Sequence, residues 1–332
     1  MDFAFVGPRD AASMDWFAEG IRKTLEALGH QHSQDPSQAS LVFNFRPQDE
    51  PRFFRRSSQA VYVVTVTRVE PPFGGPMEKG YPLLVRNLSN LLVALVDEGG
   101  SLPTSHFVTL EQGHYTVPGS LTPDDYFPAV YDRIHPLANS HLVVGNIFDH
   151  DLPEELWEGD DQTRAISRAG EYLDALNLLP TPFPMDEYLS PREQRHIKHL
   201  YGIGGLSYGN LSARLDETRF WMSASGVDKS RLKEIGRDIL LVKGYDPDKA
   251  AMVLSVPPNV EPRRVSVDAI EHWMIYREHP GVGAILHVHA WMEGVPSTEV
   301  NYPCGSHELG TAVAEIVRNA PKPLEAVVGL NE

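Results

Sequence analysis

The chain has 332 residues, of which 42% are hydrophobic and 22% charged, a composition typical of a globular protein long enough for two domains. Its net charge of −16 argues against nucleic acid and anionic membrane as partners, since both would repel such a surface. The single cysteine, Cys304, excludes an intrachain disulfide. Because the sequence shows neither a signal peptide nor an apolar run long enough to span a membrane, we expect a cytoplasmic protein.

The first 150 residues alternate strand-like and helix-like segments, which predicts a layered α/β domain with a largely parallel sheet. Apolar and β-branched runs predict strands at residues 3–6, 41–43, 60–67, 107–110 and 142–145. Helical spacing predicts helices at 16–28, 84–95 and 127–137. The first turn, Gly7-Pro8-Arg9-Asp10, lacks a dinucleotide-binding fingerprint, so the role of residues 1–150 stays open.

Residues 151–188 are predicted to connect two domains. A helix over about 161–179 is followed by Pro180, Pro182 and Pro184, which helices and central strands exclude. The second domain is predicted over residues 189–332, starting with a helix that is capped at Ser190-Pro191 and runs to about Tyr201.

The pair His287-Val288-His289 ends an apolar run near the end of the sequence. Side chains alternate along a strand, so the two imidazoles are expected on the same face. Two imidazoles on one face form half of a tetrahedral zinc site, or part of a catalytic site with an open position. A packing role is the simpler interpretation of the pair taken alone.

Three more segments carry polar and small residues. Gly209-Asn210 and Ser225-Gly226 lie in turn-forming stretches, while Ser266 and Asp268 precede a helix that continues through Ile275. Each segment alone reads as a turn, a loop or a helix cap. Together, loop amides and a helix start can hold an anion, and Asp268 supplies a carboxylate for proton transfer.

These segments resemble the class II aldolase/adducin family. The resemblance rests on four motifs in the family's order, namely Gly209–Arg214, Ser223–Val227, Ala269–His289 and Gly305–Leu309. It covers about residues 190–332 and implies an α/β/α fold for the second of two layered α/β domains. The family's third histidine follows a strand that resembles residues 324–332, so we expect this domain to be incomplete at its C-terminus.

The resemblance also implies roles for individual residues. His287 and His289 are expected to bind Zn²⁺ or another divalent metal, and Asp268 stands where the family has a glutamate acid/base. The anionic end of the substrate is expected to lie among Asn210, Ser225, Gly226 and Ser266. The side chain of Asp268 is shorter than the family's glutamate. Glu271 is therefore expected either to act as the acid/base residue in its place or to lie at the surface. His279 and His307 match no ligand position of the family.

The family implies a metal-dependent carbon–carbon lyase of aldolase type, or a retro-aldol epimerase. Its substrate would be a small phosphorylated or carboxylated sugar-like molecule, and relatives are mostly homotetramers. The alternative is an adducin-like binding or assembly module that keeps the fold without catalysis. The His-x-His pair favours the enzyme, whereas aspartate in place of glutamate favours the module.

Overall fold

The computed structural model describes residues 1–57, 61–110, 113–143, 145–179, 185–195, 209–290 and 292–330. Contacts group residues 1–139 and 183–197 into one compact unit, and residues 140–182 and 198–331 into another. The predicted domain limits at residues 150 and 188 stay a prediction. The three connector prolines and the end of the helix predicted to reach Tyr201 lie outside the described residues, whereas 191–195 are helical.

The first unit is built on a seven-stranded sheet, counted over the described residues. Its strands are β1 Asp2–Val6, β2 Gln31–His32, β3 Leu41–Phe45, β4 Tyr62–Val69, β5 Leu91–Val96, β6 Thr104–Thr109 and β7 His114–Val117. They lie in the order β2-β1-β3-β4-β5-β6-β7, and the first five are parallel. β6 and β7 pair antiparallel at one edge. The predicted α/β domain with a largely parallel sheet is confirmed.

Five helical segments accompany this sheet in the described part of the chain: α1 Ala12–Ala27, α2 Pro76–Arg86, α3 Pro123–Asn139, α5 Met185–Tyr188 and the described residues 191–195. Helices α1 and α3 share a hydrophobic core with strands β3 to β6. They approach closely at Gly20, where a Cβ atom would stand 1.9 Å from the ring of Phe127. A residue larger than glycine would therefore force these helices apart.

The helix predicted over residues 84–95 is wrong beyond Arg86. Helix α2 ends at Arg86, Leu88 has a left-handed φ of 50°, and β5 begins at Leu91. All six residues of β5 are buried, because a central parallel strand is covered on both faces. Such a strand is an unbroken apolar run, and its leucines happen to repeat at helical spacing.

The second unit contains a six-stranded sheet within the described residues. Its strands are β8 Gly145–Asp149, β9 Asn210–Arg214, β10 Phe220–Ser223, β11 Ile239–Asp246, β12 Ala251–Ser255 and β13 Ala284–His287. The order is β13-β9-β10-β11-β12-β8, antiparallel except for the pair β12 and β8. The strand predicted at 142–145 begins only at Gly145, and Val144 lies outside the described residues.

Helices α4 Asp161–Ala175, α6 Ala269–Glu278 and α7 His307–Asn319 complete the second unit, with 3-10 turns at Glu154–Leu156, Lys229–Arg231 and Pro323–Glu325. Helix α4 is tied to the sheet through its capping residue, because the Asp160 carboxylate accepts hydrogen bonds from Thr163 N and from Trp221 Nε1. None of the helices in the described part of the chain has the length and apolarity that crossing a bilayer requires. The α/β class is confirmed for both units.

Candidate functional site

Pairing of two strands brings the first residues of the candidate site together. In the antiparallel register of β13 and β9, His287 lies opposite Asn210. The Asn210 side chain is fully buried, and its Nδ2 atom donates a hydrogen bond to Oδ2 of Asp268. Nδ2 also lies 3.5 Å from Nδ1 of His287. The two motifs that are far apart in sequence therefore meet at the end of β13.

Asp268 joins this pair from the start of helix α6. It occupies the N-cap position, but its side chain accepts no hydrogen bond from the first helical amides within the described structure. Its Oδ2 atom instead accepts a hydrogen bond of 3.3 Å from Ser266 Oγ and lies 3.4 Å from His287 Nδ1. The residue is only 7% exposed. The carboxylate is thus directed toward the strands rather than toward its own helix.

Burial by itself raises the pKa of the Asp268 carboxyl group. The charge of His287 and the hydrogen bond with it bring this pKa below its ordinary value. Asp268 is therefore ionised at neutral pH. Its Oδ1 atom and the Oδ1 atom of Asn210 are buried without a hydrogen-bond partner among the described residues. Buried acceptors of this kind are uncommon and favour a bound ligand at the site.

The imidazoles of His287 and His289 are stacked, with ring centroids 5.1 Å apart and planes inclined by 10°. This is the arrangement that alternation along a strand predicts. Imidazole nitrogens and a carboxylate oxygen suit zinc in their chemical type. Over the described residues, however, no group of three or more His, Cys, Asp or Glu side chains surrounds a common point. The donors present fit a divalent metal in kind and fall short of zinc's usual ligand number.

The loop after β10 lies beside the segment that leads to Asp268. Ser225 N donates to Arg264 O at 2.9 Å, and Ala224 forms an isolated bridge with Val265. Ser225 is partly exposed and Gly226 is exposed, with a left-handed φ of 69° and open space where a Cβ would stand. Ser266 is buried next to Asp268. The predicted anion-binding residues therefore lie on adjoining segments, with Gly226 at the solvent side.

A buried polar chain behind Asp268 was not predicted. Ser212 Oγ lies 2.7 Å from His272 Nδ1 and 2.8 Å from the Tyr276 hydroxyl oxygen. Burial lowers the pKa of His272 to about 3, so its imidazole is neutral, and burial raises the pKa of Tyr276. His272 lies one turn after Asp268 on α6, and Ser212 lies two residues after Asn210 on β9. These spacings are the only features of the sequence that indicate this buried cluster of Ser212, His272 and Tyr276.

Arg214 fixes the opposite end of helix α6. Its Nη2 atom donates to the carbonyl oxygens of Tyr276 at 2.8 Å and His279 at 3.0 Å. Its Nε atom donates to Val282 O at 2.8 Å, in the turn that leads to β13. The guanidinium also lies 4.6 Å from the centre of the Tyr276 ring. Arg214 therefore sets the spacing between the helix of Asp268 and the strand of His287.

Lys229 is a second charged group that the sequence analysis missed. It is 4% exposed and begins the 3-10 turn that follows the Ser225-Gly226 loop. Burial lowers the pKa of its ammonium group to about 8, while the carboxylates of Asp268 and Asp228 act in the opposite direction. Lysine is almost never buried unless its charge is compensated, so its position beside this acidic site is informative. In the sequence, only the position of Lys229 after the Ser225-Gly226 loop points to a role at the site.

The surface role considered for Glu271 is wrong. Glu271 is 5% exposed, and its Oε1 atom accepts a hydrogen bond of 2.8 Å from Gly305 N. It therefore ties helix α6 to the loop that begins helix α7. His279 Nε2 donates to Ala314 O at 3.3 Å, and His307 is the first residue of α7 with its Nδ1 3.5 Å from Thr311 Oγ1. Both histidines have local partners away from His287.

Comparison with known proteins finds matches over the part of the chain that holds these residues. Residues 195–299 match the family described as Class II Aldolase and Adducin N-terminal domain. The chain is 30% identical over 139 residues to a methylthioribulose-1-phosphate dehydratase of Leptospira biflexa, which covers 40% of this chain and 62% of that protein. A protein of the same name from Xanthomonas campestris is 34% identical over 88 residues, or 26% of this chain and 35% of its own length.

Among solved structures, YgbL of Escherichia coli is similar over 46% of this chain and 69% of its own, with 14% identity and a TM-score of 0.31. The chain spans less than two thirds of the length of the two dehydratases that it matches. The matched region contains Asn210, Ser225, Gly226, Ser266, Asp268, His287 and His289. Residues 195–299 of this chain therefore match the class II aldolase and adducin N-terminal domain.

Proposed function

We propose that the second unit is the catalytic domain of a lyase that acts on a small phosphorylated ketose. The observation that carries the proposal is the buried, ionised carboxylate of Asp268, held between Asn210 Nδ2 and His287 Nδ1. A carboxylate fixed in this way is a general base for a proton next to a substrate carbonyl. The family match and the names of the relatives support this reaction class.

The substrate class follows from the neighbouring segments. Ser225, Gly226 and Ser266 offer hydroxyl and amide groups to a phosphate, and the absence of a side chain at Gly226 leaves room for its approach. The buried Lys229, three residues after Gly226, adds a positive charge that interacts with Asp268. The name of the relatives describes loss of water from a ketose phosphate, and we carry that substrate class, though not the individual sugar, to this chain.

In the proposed dehydration, Asp268 takes the proton from the α carbon, the bond between the β carbon and its hydroxyl oxygen breaks, and Asp268 returns the proton to the leaving hydroxide, which departs as water. In the alternative retro-aldol cleavage, Asp268 takes the proton of the β-hydroxyl group, the bond between the α and β carbons breaks, and Asp268 returns the proton to the α carbon of the enediolate. Asn210 Nδ2 holds the carboxylate in position, and the buried location of Asp268 excludes bulk water from it. A divalent metal held by His287 and His289 would supply polarisation of the substrate carbonyl when bound. We also propose a homo-oligomer, as is usual in the family, which light scattering tests.

A second candidate is the adducin-like binding module. It is favoured by the short aspartate at the acid/base position and by the two-imidazole donor set of the described residues. The two functions differ in turnover. A module would bind a ligand or partner without converting it.

The test is a turnover assay of the zinc-supplemented full chain with a panel of ketose 1-phosphates, including methylthioribulose 1-phosphate. We expect one of them to be converted, and Asp268→Asn to abolish most of this conversion. Glu271→Gln is the matched control, because Glu271 is equally buried but hydrogen-bonded to Gly305 N. Conversion that is equal in the chain and in Asp268→Asn would reject the role of Asp268. Binding of a ketose phosphate with no conversion would favour the module.

A further inference from the structure

The sheet of the first unit has a topological switch point between β1 and β3. Strand β1 lies between β2 and β3 and is parallel to both, so the chain leaves β1 to one side and returns on the other. In open α/β sheets, ligands bind in the crevice outside the carboxyl ends of the strands at such a point. Gly7 directly follows β1 and Arg46 directly follows β3. These two residues therefore stand where the topology favours a ligand.

The guanidinium group of Arg46 lies against Gly7, across the switch point. A Cβ atom on Gly7 would stand 2.1 Å from Phe45 O and 3.4 Å from Cζ of Arg46. Gly7 also has a left-handed φ of 88°, which favours glycine. The missing side chain at residue 7 thus leaves room for the guanidinium group at the end of β1.

Two buried asparagines hold Arg46 and the loop that follows it. Asn44 Oδ1 accepts a hydrogen bond of 3.0 Å from Arg46 Nε, and Asn44 Nδ2 donates to Arg52 O at 2.9 Å. Arg52 N donates to Asn87 Oδ1 at 2.9 Å. Asn44 is 0% exposed and Asn87 2%. Because Arg46 Nε also donates to Arg52 O at 3.1 Å, these bonds fix the two arginines as neighbours.

Within the described residues, neither Arg46 nor Arg52 forms an ion pair with a carboxylate. Arg46 is half-buried, and burial together with the charge of Arg52 lowers the pKa of its guanidinium group. Four other arginines of this unit lie within 3.5 Å of a carboxylate oxygen, namely Arg9, Arg22, Arg68 and Arg86. Two neighbouring cations that lack such a partner favour a bound anion, and the planar guanidinium fork matches the oxygens of a phosphate.

A cavity of about 450 Å³ opens at the same edge of the sheet. It is lined by residues 47–49, which directly follow Arg46, and by Asp10, Arg68 and Glu70 near the ends of β1 and β4. A volume of this size is typical of small-molecule sites. Carboxylates such as Asp10 and Asp49 accept hydrogen bonds from hydroxyl groups and repel a second anion. The cavity therefore suits an uncharged part of a ligand that carries hydroxyl groups.

We propose that the first unit binds a small phosphate ester with free hydroxyl groups, a sugar phosphate or a nucleotide, at this switch point. Arg46 and Arg52 hold the phosphate, and Asp10 and Asp49 accept hydrogen bonds from the hydroxyl groups. A phosphorylated sugar is common to both sources and is the chemistry that these residues recognise. The site is independent of the proposed lyase function, since each of its residues belongs to the first unit.

The experiment titrates the full chain with ribose 5-phosphate, AMP and inorganic phosphate by calorimetry, and hydrogen–deuterium exchange localises the binding. We expect ribose 5-phosphate or AMP to bind more tightly than inorganic phosphate and to slow amide exchange at residues 46–56. The tighter of the two identifies the source as a sugar phosphate or a nucleotide. Arg52→Gln should weaken this binding about tenfold or more. It should keep the fold, because the backbone of Arg52, not its side chain, bonds to Asn44 and Asn87.

The matched control is Arg22→Gln, which removes an arginine of α1 that is bound by Glu19 and Glu26. Its affinity should equal that of the parent chain. Asp49→Ala should weaken binding of ribose 5-phosphate relative to inorganic phosphate. The proposal is overturned if no phosphate compound slows exchange at residues 46–56, or if Arg52→Gln binds as tightly as Arg22→Gln. Protection confined to the second unit would also overturn it while leaving the proposed lyase site in place, so the two failures are distinguishable.

Discussion

His287 Nδ1 lies 3.4 Å from Asp268 Oδ2, although the first atom belongs to the last residue of a strand and the second to the N-cap of a helix. At this distance the charge of either group acts directly on the other. A cation bound at His287 would therefore favour the ionised form of Asp268, so the proposed acid/base residue and the proposed metal ligand are electrostatically coupled.

Replacement of Asp268 by asparagine should remove most turnover while keeping the fold. The amide has nearly the same shape but accepts no proton, and general acid–base catalysis typically contributes about 10²–10⁴-fold. Steady-state kinetics on the substrate found in the panel measure this loss. Unfolding of Asp268→Asn at the same urea concentration as the parent chain shows that the fold is kept. A tenfold or smaller loss would transfer the role to another group.

Zinc content should depend on His289 and not on His307. His289→Ala removes one of two stacked imidazoles, whereas His307 begins a different helix and contacts Thr311. With few protein ligands the affinity of this pair should be weak, and dialysis against a chelator should empty it. Elemental analysis of the parent chain and the two variants measures the zinc. Equal zinc in His289→Ala and His307→Ala would contradict the assignment.

Lys229 should make the unfolding free energy rise with pH. Its pKa is about 8 in the folded chain, below its ordinary value of 10.5, so between these values the unfolded chain holds more protons. The stabilisation that the neutral Lys229 side chain gives the folded chain is complete above about pH 10.5 and is lost as the pH falls to about 8. It amounts to at most about 3 kcal/mol of unfolding free energy. Urea denaturation of Lys229→Met at pH 8 and pH 10 should lack this rise. Lys23→Met, an exposed lysine, should keep it.

Ser212→Ala should destabilise the second unit by about 1–3 kcal/mol. It leaves the Tyr276 hydroxyl and His272 Nδ1 buried without the oxygen that joins them, and unsatisfied buried groups have a cost of this size. Urea denaturation measures the change. Ser297→Ala, at an exposed position of the same unit, should change the unfolding free energy by less than about 0.5 kcal/mol. Equal effects of the two variants would mean that the buried chain adds no stability.

The sequence allowed the local parts of the site to be predicted. The positions of Asp268 at a helix start and of His287 on a strand depend on capping and alternation, which are properties of adjacent residues. The burial of Glu271 could not be read in this way, because its partner Gly305 lies on another element.

The wrong prediction of a helix beyond Arg86 has a related cause. Leu91 to Val96 is apolar at every position, so its pattern fits a buried strand and one face of a helix equally well. Only the neighbouring strands β4 and β6 decide between the two, by pairing with it on both sides. Lys229 was missed for the opposite reason, since a lone lysine after a glycine loop is normally a solvated side chain.

The hydrogen bonds of Arg214 divide the second unit into a fixed and a variable part. Because one guanidinium holds the last carbonyl groups of helix α6 and the turn before β13, any movement of the helix carries the strand with it. The loop of Ser225 and Gly226 is attached to other residues, through Arg264 O. Under the proposed function, descendants of this sequence can change the sugar phosphate that they accept by remodelling that loop, while Asp268 and the two imidazoles keep their separation.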